Sequence, residues 1–403
     1  MKLAHRMDRI RPSATLAITA KAKAMKARGI DVVGFGAGEP DFDTPDHIKE
    51  AAVRAINEGF TKYTPVSGIE ELKEAIAERA EAELGIRYET SQVIVSCGAK
   101  QAIYNAVMAL FEEGDQVLVP SPCWVSYPEI LAMAGAEAVL VPTEEEDGFK
   151  LKPEVLAEFI TPRVKGIILN SPCNPTGSVY TQKEMDSIAE IILKGGLTVI
   201  SDDVYDRLVY DGLEPGHIVR SSPELAERTI VINGVSKTYA MTGWRIGYAL
   251  GPKEIITAMD TVQGQSTSNP ASIAQKAAVA ALRGPQECVE RMVKEFQKRR
   301  DHITQGLNGI DGVSCVKPQG AFYVFANIGQ HLGKEWAGGR LETSSDLAAY
   351  LLEEAKVAVV AGEPFGSTKH IRLSFALSEK EITKGIERIR EALRSLEEKR
   401  FGS

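Results

Sequence analysis

Lys237 and Arg245 stand eight residues apart in NGVSKTYAMTGWRIGY (233–248), a stretch of small and apolar residues with no polar face to solvate a cation. The stretch leaves one apolar run, TIVIN (229–233), and enters another, RIGYAL (245–250), so the lysine stands at the mouth of two buried strands. An amine held there is placed for nucleophilic or proton-transfer chemistry. Other apolar runs end in equally chemical residues. QVIVS (92–96) leads into Cys97, Gly98, Ala99 and Lys100, a small-residue turn opening a helix whose free N–H groups and dipole suit a phosphate. QVLVPSPC (116–123) leads to Trp124, GIILN (166–170) to SPCNPTG with Asn174, and LTVIS (197–201) to Asp202 and then Tyr205. Singly, each has an ordinary explanation as a loop, a core ring, a capping carboxylate or an internal ion pair. Together they fall at one edge of one sheet, where open α/β sheets gather ligands.

One cofactor would use them all. Pyridoxal 5′-phosphate offers an aldehyde for a lysine, a phosphate for an arginine and a helix start, a pyridine nitrogen for a carboxylate, and a phenolic oxygen for donors. Lys237 would form the Schiff base and then serve as the base and acid at the substrate α-carbon. Asp202, in preference to Asp203, would keep the ring nitrogen protonated because it directly follows the apolar run. Arg245 would clamp the phosphate, and Asn174 and Tyr205 would hydrogen-bond the ring oxygen.

The elements that must position these groups are legible as alternating strands and helices. Runs at 92–96, 116–120, 138–142, 164–170, 197–201, 229–233 and 245–250 mostly lack polar alternation and are separated by helix-length segments. That pattern predicts an α/β fold with a mostly parallel seven-stranded sheet buried on both faces. Beyond about residue 285 a long amphipathic helix (286–307), GAFYVFANI, a helix near 345–356, VAVVAG, HIRLSFA and a terminal helix predict a smaller α+β domain. The expected division is an N-terminal segment 1–45 joining the small domain, a large cofactor-binding domain 46–287 and a small C-terminal domain 288–403.

AGEPDFDTP (37–45), KYTPVSG (62–68), SPCNPTG (171–177), SDDVY (201–205), SKTYAMTGWRIGY (236–248) and HIRLSFA (370–376) resemble, in order, the motifs of the class I aminotransferases. The resemblance spans nearly the whole chain and is greatest to the bacterial-type aspartate and prephenate-using members. It implies fold type I of the pyridoxal-phosphate enzymes and a homodimer. By position it assigns Gly38 and Arg372 to the substrate α-carboxylate, with Trp124 stacking on the cofactor and, like Asn174, bordering the substrate. Tyr63 would reach the phosphate in the other subunit, and Ala99 and Lys100 would lie at the phosphate turn. RPSAT (11–15) and GAKQ (98–101) resemble segments contacting the distal carboxylate of an acidic substrate, through Lys100, Ser13 and Thr15. One departure is Gly234, where the family often carries a phosphate-binding serine; Arg245, backbone N–H groups and Ser236 would compensate.

Net charge −8, 44% apolar and 25% charged residues fit a globular protein and argue against general nucleic-acid or membrane-surface binding. No apolar run is long enough for a membrane span or signal peptide, so a cytoplasmic location is expected. Five scattered cysteines and six histidines show no metal-ligand spacing, so no metal is expected. The expected activity is ping-pong transfer of an amino group between aspartate or glutamate and a 2-oxo acid. The alternatives are a prephenate-using transaminase, a β-lyase, or a regulator that would need a helix-turn-helix domain for which the residues before position 37 leave no room.

Overall fold

The computed structural model describes residues 3–336 and 339–398. Seven strands build the large sheet: β1 (Val93–Ser96), β2 (Gln116–Ser121), β3 (Glu137–Pro142), β4 (Val164–Asn170), β5 (Thr198–Asp202), β6 (Thr229–Gly234) and β7 (Gly247–Leu250), in the order β1-β7-β6-β5-β4-β2-β3. The pairs β2–β3, β2–β4, β4–β5 and β5–β6 are parallel. Only β7 runs antiparallel to both neighbours, because residues 235–246 carry no α-helix to return the chain across the sheet.

Alternation of side chains explains why the strands read as continuous apolar runs. Ile94, Ile230 and Ile232 pack on one face against Ile103 and Val107 of the helix Ala99–Leu110, while Val93, Val95 and Val231 pack on the other against Leu72, Ile76 and Ala278. Each such buried side chain contributes about 1.5–3 kcal/mol. Among the described residues no helix is long and apolar enough to cross a membrane.

The second sheet is antiparallel. Its strands β8 (Ser314–Cys315), β9 (Tyr323–Asn327), β10 (Val360–Ala361) and β11 (His370–Ser374) lie in the order β10-β11-β9-β8. VAVVAG, which reads as one element, is split: Val357–Ala358 pairs with Val33–Gly34, and Val360–Ala361 pairs with β11. The helices Glu287–Asn308 and Glu379–Glu398 cover this sheet through Phe296, Ile303, Ile382 and Ile386. The same core takes in Tyr205 and Leu208, which follow β5, so the small sheet packs directly on the edge of the large one where the chemical residues collect.

Candidate active site

A cavity of about 380 Å³ opens at the carboxyl ends of β1, β4, β5 and β6. It is bordered by Thr15 and Gly38 from the N-terminal segment and by Tyr323 and Arg372 from the small sheet. Lys237 projects into it from the connection between β6 and β7, and its Nζ donates to the carbonyl of Gly38 at 2.5 Å. Burial pushes its pKa down to about 8; Arg372 and Arg245 push the same way and Glu39 opposes them. The lysine is thereby brought close to the protonation balance that a proton carrier needs.

Asp202 ends β5, 3% exposed. Its Oδ2 accepts the hydroxyl of Tyr127 at 2.6 Å, while Oδ1 has only a long bond from the Val204 N–H at 3.3 Å. Burial raises the carboxyl pKa to about 6 and Asp203 adds to it, against the Tyr127 and Val204 hydrogen bonds and the charge of Lys237. Asp203 points to the opposite face, where it accepts from the Ser201 hydroxyl at 2.6 Å and meets His217 Nδ1 at 3.0 Å. Strand alternation thus divides the two neighbouring aspartates between the cavity and the interior.

Arg372 on β11 is 1% exposed. It donates to Asn174 Oδ1 at 2.9 Å and to the Gly36 carbonyl at 3.0 Å, and its guanidinium lies 4.4 Å over the Tyr323 ring. Its Nε is buried without a hydrogen-bond partner, and no acidic side chain among the described residues pairs with it. Tyr205 and Tyr323 join their hydroxyls at 2.9 Å, and burial raises the Tyr205 pKa well above its usual value, with Tyr323 reinforcing it.

At the other end of the cavity Gly98 precedes the helix Ala99–Leu110 with φ of 93°, in the left-handed region that glycine tolerates. A Cβ there would lie 2.4 Å from Nη2 of Arg245, so the glycine lets the guanidinium approach the helix start. Arg245, itself at φ 57°, is anchored by Nη1 to the Thr242 carbonyl at 2.8 Å and borders the cavity together with Ser236, Ala99 and Lys100. The Gln101 N–H bonds back to the Gly98 carbonyl at 3.0 Å, which leaves the N–H groups of Ala99 and Lys100 at the helix start without a backbone acceptor at this end. At Gly234 a Cβ would come within 3.0 Å of the Gly247 Cα and 3.1 Å of the Ile246 carbonyl, so β7 runs close against this position.

Trp124 lines the cavity edge-on to Tyr127, with ring centroids 5.3 Å apart, and Lys100 Nζ sits 4.8 Å above its indole. Burial and the neighbouring Arg245 lower the Lys100 pKa. Thr15 reaches the cavity from the helix Ala14–Ala27 with its hydroxyl buried and unpartnered. Two residues singled out in the sequence lie outside this cavity. Ser13 caps that helix, accepting from the Leu16 N–H at 3.4 Å, and Tyr63 is 90% exposed.

Tyr127, Tyr323, Asn170, Glu39 and Thr242 line the site and were not legible as site residues. Tyr127 lies in the first turn of the helix Ser126–Ala134, three positions after Trp124, and that closeness to a residue already singled out could have flagged it. Tyr323 carries no such signal, because its place depends on how the small sheet docks.

The sequence model of the family "Aminotransferase class I and II" matches residues 30–389. An aspartate aminotransferase of Geobacillus stearothermophilus is 51% identical over 96% of this chain and 98% of its own, and an aspartate/prephenate aminotransferase of Cereibacter sphaeroides is 49% identical over 96% and 97%. The structure of a Thermus thermophilus aspartate aminotransferase with maleate superposes with a TM-score of 0.92 at 42% identity, over 97% of this chain and all of that one. Fold, ordered motifs and full-length similarity agree that the chain belongs to the class I and II aminotransferase family.

Proposed function

We propose that this aminotransferase moves an amino group between an acidic amino acid and a 2-oxo acid with pyridoxal 5′-phosphate held in the cavity. The observation that carries the reading is Arg372, a buried guanidinium facing the cavity with an unpartnered Nε and no internal carboxylate. A buried cation without a counter-ion is costly, so the site calls for a carboxylate that the ligand brings.

The residues present fit the cofactor. Gly98, the open first turn of the helix and Arg245 form an anion cradle, Asp202 keeps one oxygen nearly free, and Lys237 is depressed toward its neutral form. When bound, the cofactor supplies an electron sink for the α-carbon. The protein does the rest. Lys237 carries the cofactor and moves the α-proton, Asp202 holds the proton on the ring nitrogen, and Tyr205 and Asn174 donate to the ring oxygen. Trp124 would stack on the ring, and Arg245 with Ser236 and the N–H groups of Ala99 and Lys100 would hold the phosphate. Arg372, Asn174 and Gly38 fix the α-carboxylate. Lys100 and Thr15, with Ser13 close behind, meet the distal carboxylate, a role in keeping with the dicarboxylate maleate in the Thermus relative. We further infer a cytoplasmic homodimer in which the exposed Tyr63 of one subunit completes the phosphate site of the other.

Lys100→Ala tests the substrate class. Loss of a charge-assisted hydrogen bond of roughly 1.5–3 kcal/mol lowers kcat/KM for aspartate and glutamate by about 10- to 200-fold. Alanine and phenylalanine are nearly unaffected. An equal loss for acidic and neutral substrates removes Lys100 from the specificity site. Prephenate, a second dicarboxylate, is the alternative acceptor favoured by the name of the Cereibacter relative, and direct assay with an aspartate donor distinguishes it.

A further inference from the structure

The hydroxyls of Tyr205 and Tyr323 lie 2.9 Å apart, both phenols are buried, and the hydrogen bond between them can run in either direction. A phenol has a single O–H. When Tyr205 gives its proton to the cofactor ring oxygen, the only proton left to join the pair is that of Tyr323. Tyr323 comes from β9 of the small sheet, whereas Tyr205 follows β5 of the large one, so this bond links the two sheets at the cavity. The same side chain has a second contact, since the Arg372 guanidinium lies 4.4 Å over its ring. Its hydroxyl is also the nearest atom to a Cβ built on Gly38, at 3.3 Å, so the packing around it is close.

We propose that Tyr323 is a positioning residue with two separable parts: its hydroxyl donates to Tyr205 and sharpens Tyr205 as a donor to the cofactor, and its ring seats Arg372 for the substrate carboxylate. The proposal rests on the roles proposed above for Tyr205 and Arg372. A phenol that accepts a hydrogen bond becomes a better donor, by about 10–30% of the bond it makes. Tyr205 stabilises negative charge on the ring oxygen, so weakening it leaves the proton shared between that oxygen and the lysine linkage more tightly held.

The test is the pH titration of the holoenzyme absorbance, read in a double-mutant cycle. Tyr323→Phe raises the midpoint by roughly 0.2–0.5 unit, Tyr205→Phe raises it further, and Tyr323→Phe adds nothing in the Tyr205→Phe background. At a pH below both midpoints Tyr323→Phe, which keeps the ring, weakens maleate binding less than Tyr323→Leu, which weakens it by roughly 2- to 30-fold. If Tyr323→Phe folds poorly, 3,5-difluorotyrosine at position 323, a more acidic donor of similar size, lowers the midpoint instead. No shift with either substitution, or the same shift in both backgrounds, overturns the hydroxyl's role, and unchanged maleate binding in Tyr323→Leu overturns the ring's. A flat response to Tyr205→Phe itself would instead sink the underlying assignment of Tyr205.

Discussion

Two carboxylates adjacent in sequence, Asp202 and Asp203, occupy opposite faces of the same sheet edge, and the protein treats them differently. On the interior face Asp203 is matched by Ser201 and His217, Asp206 accepts from Asn233 at 2.8 Å, and Glu83 is bracketed by Arg79 at 2.6 Å and Arg207 at 2.7 Å. Each of these acids has a partner inside the fold, although burial still holds the Asp206 and Glu83 carboxyls above their usual range, and none of them faces the cavity. On the cavity face Asp202 has a single strong donor, Lys237 has only a backbone carbonyl, and Arg372 has no acid at all. What separates the functional face from the structural one is incomplete pairing, because a ligand can only be recognised by groups the fold has left short of partners.

The largest expected contrast follows from exchanging the two aspartates. Asp202→Asn lowers the chemical step by two to three orders of magnitude, about the loss of one preorganised charge partner, with the fold retained. Asp203→Asn leaves that step within about tenfold of wild type, one pKa unit of coupling. It instead lowers stability by about 3 kcal/mol, because burial opposes the charge on His217 and Asp203 is the partner that holds its pKa up. Single-turnover kinetics and denaturant unfolding read the two effects, and a reversed pattern would exchange the roles of the two faces.

A smaller effect separates poised from satisfied groups by pH. Asp202 has a folded pKa of about 6 against the usual 3.8, so the folded state binds the proton more tightly than the unfolded one. Apoprotein stability from this group is full below pH 3.8 and falls as pH rises toward 6, by about 3 kcal/mol in all. Apo Asp202→Asn escapes this loss, so its stability relative to wild type climbs across that window. A difference that stays constant with pH contradicts the shift. Smallest is Tyr127→Phe, which removes the donor opposing the rise and moves the upper end of the apoprotein's stability window up by about one unit. An unmoved window in pH-dependent denaturant unfolding shows that Tyr127 only packs against Asp202.

The large sheet was legible because its inner strands are covered on both sides, which turns them into unbroken apolar runs such as GIILN and QVIVS; the edge strand β3 reads the same way although Leu140 is 43% exposed. Asp202 is preferred over Asp203 in the sequence because it directly follows the apolar run, and in the structure it is the one of the two that borders the cavity. Antiparallel β7 was less legible, since direction depends on what fills residues 235–246. Tyr323 and the missing counter-ion of Arg372 were invisible for a different reason: both depend on the docking of the small sheet, and the absence of a partner leaves no mark in a sequence. The splitting of VAVVAG likewise reflects two partners brought in from distant segments.

The most direct test of the account is the product stoichiometry when purified holoenzyme is mixed with excess aspartate and no acceptor. The expected result is one equivalent of the 2-oxo acid of aspartate per subunit, with the amino group retained by the protein until a 2-oxo acid is added, and no product at all from Lys237→Ala. Continuous release of free ammonia with many equivalents of product, or undiminished product from Lys237→Ala, would contradict it.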